Sequence, residues 1–197
     1  MYYMDEPLAD PSCIALYFVD QVAAEQIKVV LSGEGADEFF GGYNIYHEPL
    51  SLKGYQKLPK GFRKGLAAIA KKLPDIKGRD FIIRGSKDVE ERFIGNANMF
   101  SVEEREKYLK HPITHIPPKD IVASTYKKVE GLNDIAKMQY IDTNFWLQGD
   151  ILLKADKMSM AHCLESRVPF LDVKVFDYAK KLPIDFRCNE EATKRAF

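Results

Sequence analysis

The chain has 197 residues, of which 46% are apolar and 29% are charged, a composition typical of globular domains. Lysine plus arginine balance aspartate plus glutamate at 29 each, so the chain lacks the basic excess of nucleic-acid-binding proteins. No apolar run approaches the roughly 20 residues of a membrane helix, and the first residues do not resemble a signal peptide. Three cysteines without zinc-type spacing, Cys13, Cys163 and Cys188, indicate a reduced, cytoplasmic setting. We therefore expect no nucleic-acid partner and no membrane association.

The first 46 residues predict half of a parallel α/β unit. Residues 10–12, Asp-Pro-Ser, are typical of a helix start, and residues 13–27 have helical apolar spacing. The apolar face of this helix comprises Ile14, Phe18, Val22 and Ile27. An apolar, β-branched run at 28–32 predicts a buried strand, which a glycine-containing turn ends. A second helix is predicted over 37–46.

The rest of the chain contains mainly helical patterns. Helices are predicted over residues 62–73, 89–100, 102–110, 133–163 with a break near Gly149, 173–182 after a capping Asp172, and 189–197. A short strand is predicted over residues 184–188. A parallel sheet needs neighbouring strands, and the sequence offers a single convincing one. We therefore expect a predominantly α-helical chain with one or two parallel strands.

The strongest local signal is the segment 32–38, Ser-Gly-Glu-Gly-Ala-Asp-Glu, which joins the predicted strand to the next helix. Glycines let a ligand approach the backbone, and the free N–H groups of a helix start can hold phosphate. The segment is not a dinucleotide fingerprint, since Glu38 replaces the third glycine, and it lacks the lysine of a P-loop. Three carboxylates beside phosphate imply Mg²⁺ between them. The alternative, equally open from the spacing, is that Asp37 and Glu38 only favour the first helical turn.

A second signal lies where charged residues interrupt an apolar helical tract. Asp156 and Lys157 lie in this tract, and Arg167 precedes a turn imposed by Pro169. Charged groups in apolar surroundings need a partner, so a structural pair between Asp156 and Arg167 is the favoured interpretation from the residues alone. Residues 50–79 contain nine lysines or arginines and one aspartate, and a solvated helix face is favoured there over nucleic-acid binding.

Four stretches, in this order, resemble the synthetase domain of the glutamine-dependent asparagine synthetases. They are Asp-Glu-Pro-Leu-Ala-Asp-Pro-Ser at 5–12, Val-Val-Leu-Ser-Gly-Glu-Gly-Ala-Asp-Glu-Phe-Phe-Gly-Gly-Tyr at 29–43, Leu-Lys-Ala-Asp-Lys-Met-Ser-Met-Ala at 153–161 and Arg-Val-Pro-Phe-Leu-Asp at 167–172. The resemblance implies an α/β fold of the adenine nucleotide alpha hydrolase-like (ATP-pyrophosphatase) class, with a parallel sheet between helices. It also implies that ATP activates the aspartate side-chain carboxylate as β-aspartyl-AMP with release of pyrophosphate. Ammonia from a separate glutaminase domain would then attack this intermediate.

By position, the resemblance implies roles for ten residues. The catalytic candidates are Glu34, as the base that takes a proton from the attacking nitrogen, and Glu165. The implied nucleotide contacts are Ser32, Gly33 and Gly35, and the implied Mg²⁺ ligand is Asp37. The implied supporting residues are Glu38, Asp156, Lys157 and Arg167. ATP and Mg²⁺ are the implied cofactors, aspartate and glutamine-derived ammonia are the implied substrates, and a homodimer is left open.

Departures from the family pattern shape the remaining expectations. The pyrophosphate loop of Ser-Gly-Gly-Leu-Asp-Ser-Ser type, the N-terminal glutaminase cysteine and the cationic segment that would follow Phe197 are absent. Residues 1–197 are therefore expected to be a partial synthetase domain that is inactive alone. Lys157 stands where many relatives have arginine, which loses the planar fork of the guanidinium. Two alternatives stay open: a related amidotransferase or β-lactam-type synthetase acting on another carboxylate, although Glu34 argues against β-lactam formation, and a non-catalytic helical scaffold.

Overall fold

Short helices and one pair of strands make up the described part of the protein. The computed structural model describes residues 2–5, 7–8, 10–96, 98, 100, 102–111 and 116–196. Strands β1 and β2 span Val29–Leu31 and Glu165–Arg167. The α-helices are α1 Ser12–Ala24, α2 Ala36–Phe40, α3 Glu48–Gln56, α4 Lys60–Ala70, α5 Arg79–Gly85, α6 Val89–Arg92, α7 Val102–Tyr108, α8 Pro118–Lys127, α9 Asp134–Asn144, α10 Leu152–Met160, α11 Val173–Ala179 and α12 Ile184–Arg187. The 3-10 turns are Tyr2–Met4, Asn44–His47 and Pro169–Leu171, and a π-helical turn spans Leu147–Ile151.

The two strands pair in parallel although they lie far apart in sequence. The paired residues are Val29 with Glu165, Val30 with Ser166 and Leu31 with Arg167. The ladder continues past both ends, since the N–H of Glu165 donates to the carbonyl oxygen of Lys28 (2.9 Å) and that of Ser32 to Arg167 (2.8 Å). The prediction of a predominantly helical chain with one or two parallel strands is therefore confirmed.

The C-terminal region differs from the sequence prediction in two places. The strand predicted over 184–188 is wrong, because Ile184–Arg187 form α12, with an acid in the first turn and Arg187 in the last, which suits the helix dipole. The second strand lies instead at Glu165–Arg167. The helix predicted over 189–197 is also wrong for the described residues. The Asn189 side chain accepts hydrogen bonds from the backbone N–H groups two and three residues later, which closes a turn in place of a helix.

Other predicted helices are present but shorter. The helix predicted over 37–46 ends at Phe40, because Gly41 follows with a left-handed φ of 74°. The helix predicted over 89–100 ends at Arg92, and Gly95 with φ 104° lies beyond it. The break near Gly149 is confirmed as the π-helical turn between α9 and α10. The predicted Asp172 cap is also confirmed, since its carboxylate accepts from the N–H of Lys174.

Helix α9 lies at the centre of the apolar core and contacts α2, α6 and α8. Met138 and Ile141 of α9 are fully buried beside Tyr46. The other buried members of this cluster are Val89, Phe93, Val122, Tyr126, Val129, Ile135 and Cys188. Because α2 packs on α9, the core fixes the position of the segment that follows β1.

Strand β1 and helix α1 leave apolar surface in contact with solvent. Helix α1 packs against α10, but its predicted apolar face, including Ile14, Phe18 and Val22, is exposed. Leu31 is 70% exposed, so the prediction of a buried strand is wrong for this structure, in which β1 pairs with one strand among the residues that the structure describes. Among the described residues, no helix is long and apolar enough to cross a membrane.

Candidate active site

The loop between β1 and α2 places open backbone at the carboxyl end of the strand pair. Ser32 continues the ladder, and apart from the two chain neighbours of Gly33 no heavy atom of the described residues lies within 4 Å of the position that a Cβ on Gly33 would occupy. Gly35 is the N-cap of α2 with φ 87°, a left-handed conformation that favours glycine. A Cβ on Gly35 would lie 2.2 Å from Leu171 Cδ2, so the loop packs directly on the turn after β2. Parallel pairing thus brings two distant segments to one edge of the sheet.

The three carboxylates of this loop have different environments. Glu34 is partly exposed, whereas Asp37 Oδ1 lies 2.8 Å from the ammonium nitrogen of Lys194. Glu38 is 2% exposed, and its Oε1 accepts a hydrogen bond of 2.7 Å from the Tyr43 hydroxyl. Burial raises the pKa of Glu38, the charges of Asp37 and Glu34 raise it further, and the Tyr43 hydrogen bond opposes the rise. The Asp37 carboxylate is therefore paired with the Lys194 ammonium group, and the next residue, Glu38, carries a buried carboxyl group.

The charged residues of β2 lie at different ends of the strand. Glu165 accepts a hydrogen bond of 2.7 Å from Arg167 Nε on an exposed surface. Since Glu165 pairs with Val29, it lies at the amino end of β2, away from the edge that Ser32 continues. Arg167 lies at the carboxyl end. The pair between Asp156 and Arg167 does not form, because Asp156 is exposed and Arg167 contacts Glu165 instead. The register thus brings Arg167 to the loop edge, but not Glu165.

Lys154, which the sequence did not single out, is the buried cation of α10. Its Nζ contacts the Asp10 carboxylate, hydrogen-bonds Ser12 Oγ at 2.9 Å and lies 3.4 Å from Asp150 Oδ2. Burial alone would raise the pKa of Asp10, but hydrogen bonds from Lys154 and Ser12 lower it to about 2. The ammonium group of Lys157, one turn along, is partly exposed and pairs with the exposed Asp5 carboxylate. The i, i+4 spacing of Asp150 and Lys154 was the available sequence signal.

The donor atoms of the loop fit a nucleotide-bound Mg²⁺. The described residues contain no group of three or more His, Cys, Asp or Glu side chains arranged to hold a metal alone. Mg²⁺ in nucleotide sites needs one or two carboxylates, because phosphate and water supply the other oxygens. Asp37 and the open backbone at Gly33 meet that requirement. A cavity of about 280 Å³ borders Glu38, whereas Glu34 and Asp37 are partly exposed.

Comparison with known families matches the asparagine synthase model to residues 1–197. The chain belongs to the asparagine synthase family. Glutamine-hydrolysing asparagine synthetase 1 of Bacillus subtilis is 46% identical over 195 residues, which is 98% of this chain and 31% of that protein. A Mycobacterium tuberculosis relative, provisionally named for the same activity, is 46% identical over 200 residues, which is 100% of this chain and 30% of that protein. The family expected from the four sequence stretches is therefore confirmed.

Two of the more distant relatives of this chain are named as amidases. Amidase chyE of Penicillium rubens is 23% identical over 233 residues, covering 100% of this chain and 32% of that protein. No solved structure gave a significant match. The chain spans about 30% of the length of the curated relatives it matches.

Proposed function

We propose that this chain is part of an ATP-dependent, glutamine-hydrolysing asparagine synthetase. In this proposal the protein adenylates the aspartate side-chain carboxylate, releases pyrophosphate and transfers glutamine-derived ammonia, giving asparagine and AMP. The observation that carries the proposal is the contact between Gly35 and Leu171 at the carboxyl edge of a parallel strand pair. Ligands of open α/β sheets bind outside this edge. The name of the Bacillus subtilis relative supports aspartate as the substrate.

The nucleotide would lie on the backbone of Ser32, Gly33 and Gly35. Gly33 is exposed and has no side chain of its own to keep a phosphate away from its backbone. Asp37 would hold Mg²⁺ together with phosphate oxygens, and the ion would neutralise the charge of the leaving pyrophosphate. Lys194, which contacts Asp37 in this structure, supplies a second positive group at the same place.

Glu34 remains the proposed general base. It is neither buried, as Glu38 is, nor held by an ammonium group among the described residues, as Asp37 is. A carboxylate in that state is available to take a proton from an attacking nitrogen. For Glu165 we propose a less direct role, because its side chain holds Arg167, which reaches the loop edge. Asp156 and Lys157 remain proposed supporting residues outside this edge.

We further propose that the complete domain has the ATP-pyrophosphatase fold, with a larger parallel sheet between helices. Parallel sheets are normally covered on both faces. One edge of β1 has no partner strand in the described part of the chain. This edge, the exposed Leu31 and the exposed apolar face of α1 support further strands and helices against these surfaces. The length of the relatives agrees with a longer polypeptide. Residues 1–197 are thus proposed to form part of a domain and to lack synthetase activity alone.

A chimera tests the function, with residues 1–197 replacing the matching segment of the Bacillus subtilis relative. We expect pyrophosphate release that requires ATP, Mg²⁺ and aspartate, and asparagine formation from glutamine or ammonia. Loss of a general base typically costs 10²–10⁴ in rate, so Glu34→Gln should lower asparagine formation by about 100-fold or more. Glu130→Gln, which changes an exposed acid after α8, is the matched control and should leave the rate unchanged. Full activity of Glu34→Gln would contradict the assigned role.

A second candidate is an ATP-dependent amidotransferase that acts on another carboxylate, which the amidase-named relatives favour. The same chimera separates the two by a panel of amino-acid carboxylates offered in place of aspartate. Pyrophosphate release with another carboxylate and none with aspartate would replace the leading proposal with this one.

A further inference from the structure

Tyr43 joins the loop helix α2 to the π-helical turn through two hydrogen bonds. Its hydroxyl donates to Glu38 Oε1 at 2.7 Å and accepts from Trp146 Nε1–H at 3.1 Å. Glu38 lies one residue after Asp37, and Trp146 is the N-cap of the π-helical turn. One hydroxyl thus uses its donor on a buried carboxylate and its acceptor on an indole N–H.

The contacts extend beyond Trp146 and Glu38. The Lys154 ammonium lies 6.0 Å from the centroid of the Trp146 ring, within cation–π range. The carbonyl oxygen of Glu38 accepts a hydrogen bond of 2.8 Å from Gln139 Nε2 of α9. Helix α2 has only five residues, so its direction depends on such tertiary contacts more than on its own hydrogen bonds.

The backbone beside Tyr43 touches the candidate metal ligand. A Cβ on Gly42 would lie 1.7 Å from Asp37 Oδ1 and 2.2 Å from Lys194 Cε, so the Asp37–Lys194 pair rests on the Gly42 backbone. The N–H of Gly42 also donates to the carbonyl oxygen of Asp37 at 2.8 Å. Gly42, the residue before Tyr43, thus contacts both the side chain and the main chain of Asp37.

We propose that Tyr43 is a positioning residue of the synthetase reaction, which fixes the direction in which α2 presents Asp37 by holding Glu38 and Trp146 together. The proposal rests on the proposed function, because the direction of Asp37 matters only if the loop binds ATP and Mg²⁺. Tyr43 itself touches no reacting group in this account and acts through Asp37.

Tyr46 offers a matched control within the same chain. Its hydroxyl donates to the buried carboxylate of Asp142 at 2.8 Å, and its ring lies 5.7 Å from that of Tyr43. Asp142 belongs to α9 and not to the loop. Tyr43→Phe and Tyr46→Phe therefore remove the same kind of hydrogen bond from the same core, but only the first removes a contact to α2.

The first test compares these two variants in the active chimera, below the unfolding temperature measured for each. Tyr43→Phe should raise the Mg²⁺ concentration for half-maximal pyrophosphate release about tenfold with a smaller change in kcat, and Tyr46→Phe should leave it within about twofold. Equal shifts in both variants, or wild-type Mg²⁺ dependence in Tyr43→Phe, would overturn the positioning role. An inactive parent chimera counts against the proposed function, and the second test then decides by itself whether the hydrogen-bonded link on which the positioning role depends is present.

The second test uses the 197-residue chain itself. Trp146 is its single tryptophan, so tryptophan fluorescence reports on this one site. Tyr43→Phe should shift the emission maximum and alter its quenching, because the indole N–H loses its acceptor, whereas Tyr46→Phe should leave the spectrum unchanged. An unchanged spectrum in Tyr43→Phe, or the same change in both variants, would remove the hydrogen-bonded link on which the proposal stands.

Discussion

Replacing Asp142 with asparagine should remove a large part of the pH dependence of folding stability. Asp142 is fully buried in α9. Burial raises its pKa to about 7, although hydrogen bonds from Asn96 and Tyr46 lower it, and the charge of Glu38 adds to the rise. The carboxyl group is therefore neutral in the folded protein at pH values where it is ionised in the unfolded chain.

The sign and size of the effect follow from this shift. The folded state binds more protons than the unfolded state between the unfolded pKa of 3.8 and the folded pKa of about 7. The contribution of Asp142 to the free energy of unfolding is thus highest below pH 4 and decreases as the pH rises through this range. At 1.36 kcal/mol per pKa unit, a rise of about 3 units corresponds to a loss of about 4 kcal/mol.

Urea unfolding of the 197-residue chain at pH 4.5 and pH 8, followed by circular dichroism, measures this loss. Glu38, Asp20 and Asp150 also have raised pKa values, so the informative quantity is the difference between wild type and Asp142→Asn. Between pH 4.5 and pH 8 we expect the free energy of unfolding to fall by about 3 kcal/mol less in the variant than in wild type. This interval covers most, but not all, of the loss of about 4 kcal/mol assigned to Asp142. The exposed Asp185→Asn should behave as wild type. Equal pH dependence in wild type and Asp142→Asn would refute the assignment of a neutral buried carboxyl group.

Three further predictions concern stability and association. Gly35→Ala should lower the free energy of unfolding by about 1–3 kcal/mol in thermal melts, because φ is 87° and Leu171 occupies the Cβ position, whereas Gly33→Ala should change it little. Lys154→Met should cost roughly 3 kcal/mol in urea unfolding, since the buried Asp150 and the partly buried Asp10 lose their ammonium partner, and Lys157→Met should cost clearly less; equal losses would contradict the burial of Lys154. Phe18→Lys on the exposed face of α1 should reduce self-association of the 197-residue chain in sedimentation velocity, and undiminished association would show that another surface mediates it.

The sequence predicted those elements whose causes are local. The cap at Asp172 and the break near Gly149 depend on neighbouring residues, and both are present. Strand β2 could not be predicted in this way, because Glu-Ser-Arg has no apolar or β-branched residue and is a strand only through its ladder with β1. The turn at Asn189 was missed although its cause is local. The residues that follow have a helix-like pattern, but the Asn189 side chain accepts a hydrogen bond from the nearby backbone and forms a turn instead.

In the candidate site, too, the sequence predicted the local features and missed those that depend on distant residues. The 32–38 loop was identifiable because its glycines and carboxylates are contiguous. The groups that fix those carboxylates come from distant parts of the chain. Lys194 forms an ion pair with Asp37, and Trp146 donates a hydrogen bond to Tyr43, which in turn binds Glu38. The position of the catalytic candidate Glu165 relative to the loop depends on strand register, which a sequence without a recognisable second strand does not determine.

Hydrogen–deuterium exchange of the active chimera, with and without ATP, Mg²⁺ and aspartate, tests most directly whether two distant segments form one nucleotide site. We predict that amides of residues 32–38 and 168–172 exchange more slowly together when the nucleotide binds, and that Asp37→Asn weakens both effects in parallel. Protection confined to one of these segments, or absent from both while the chimera turns over, would contradict the central claim.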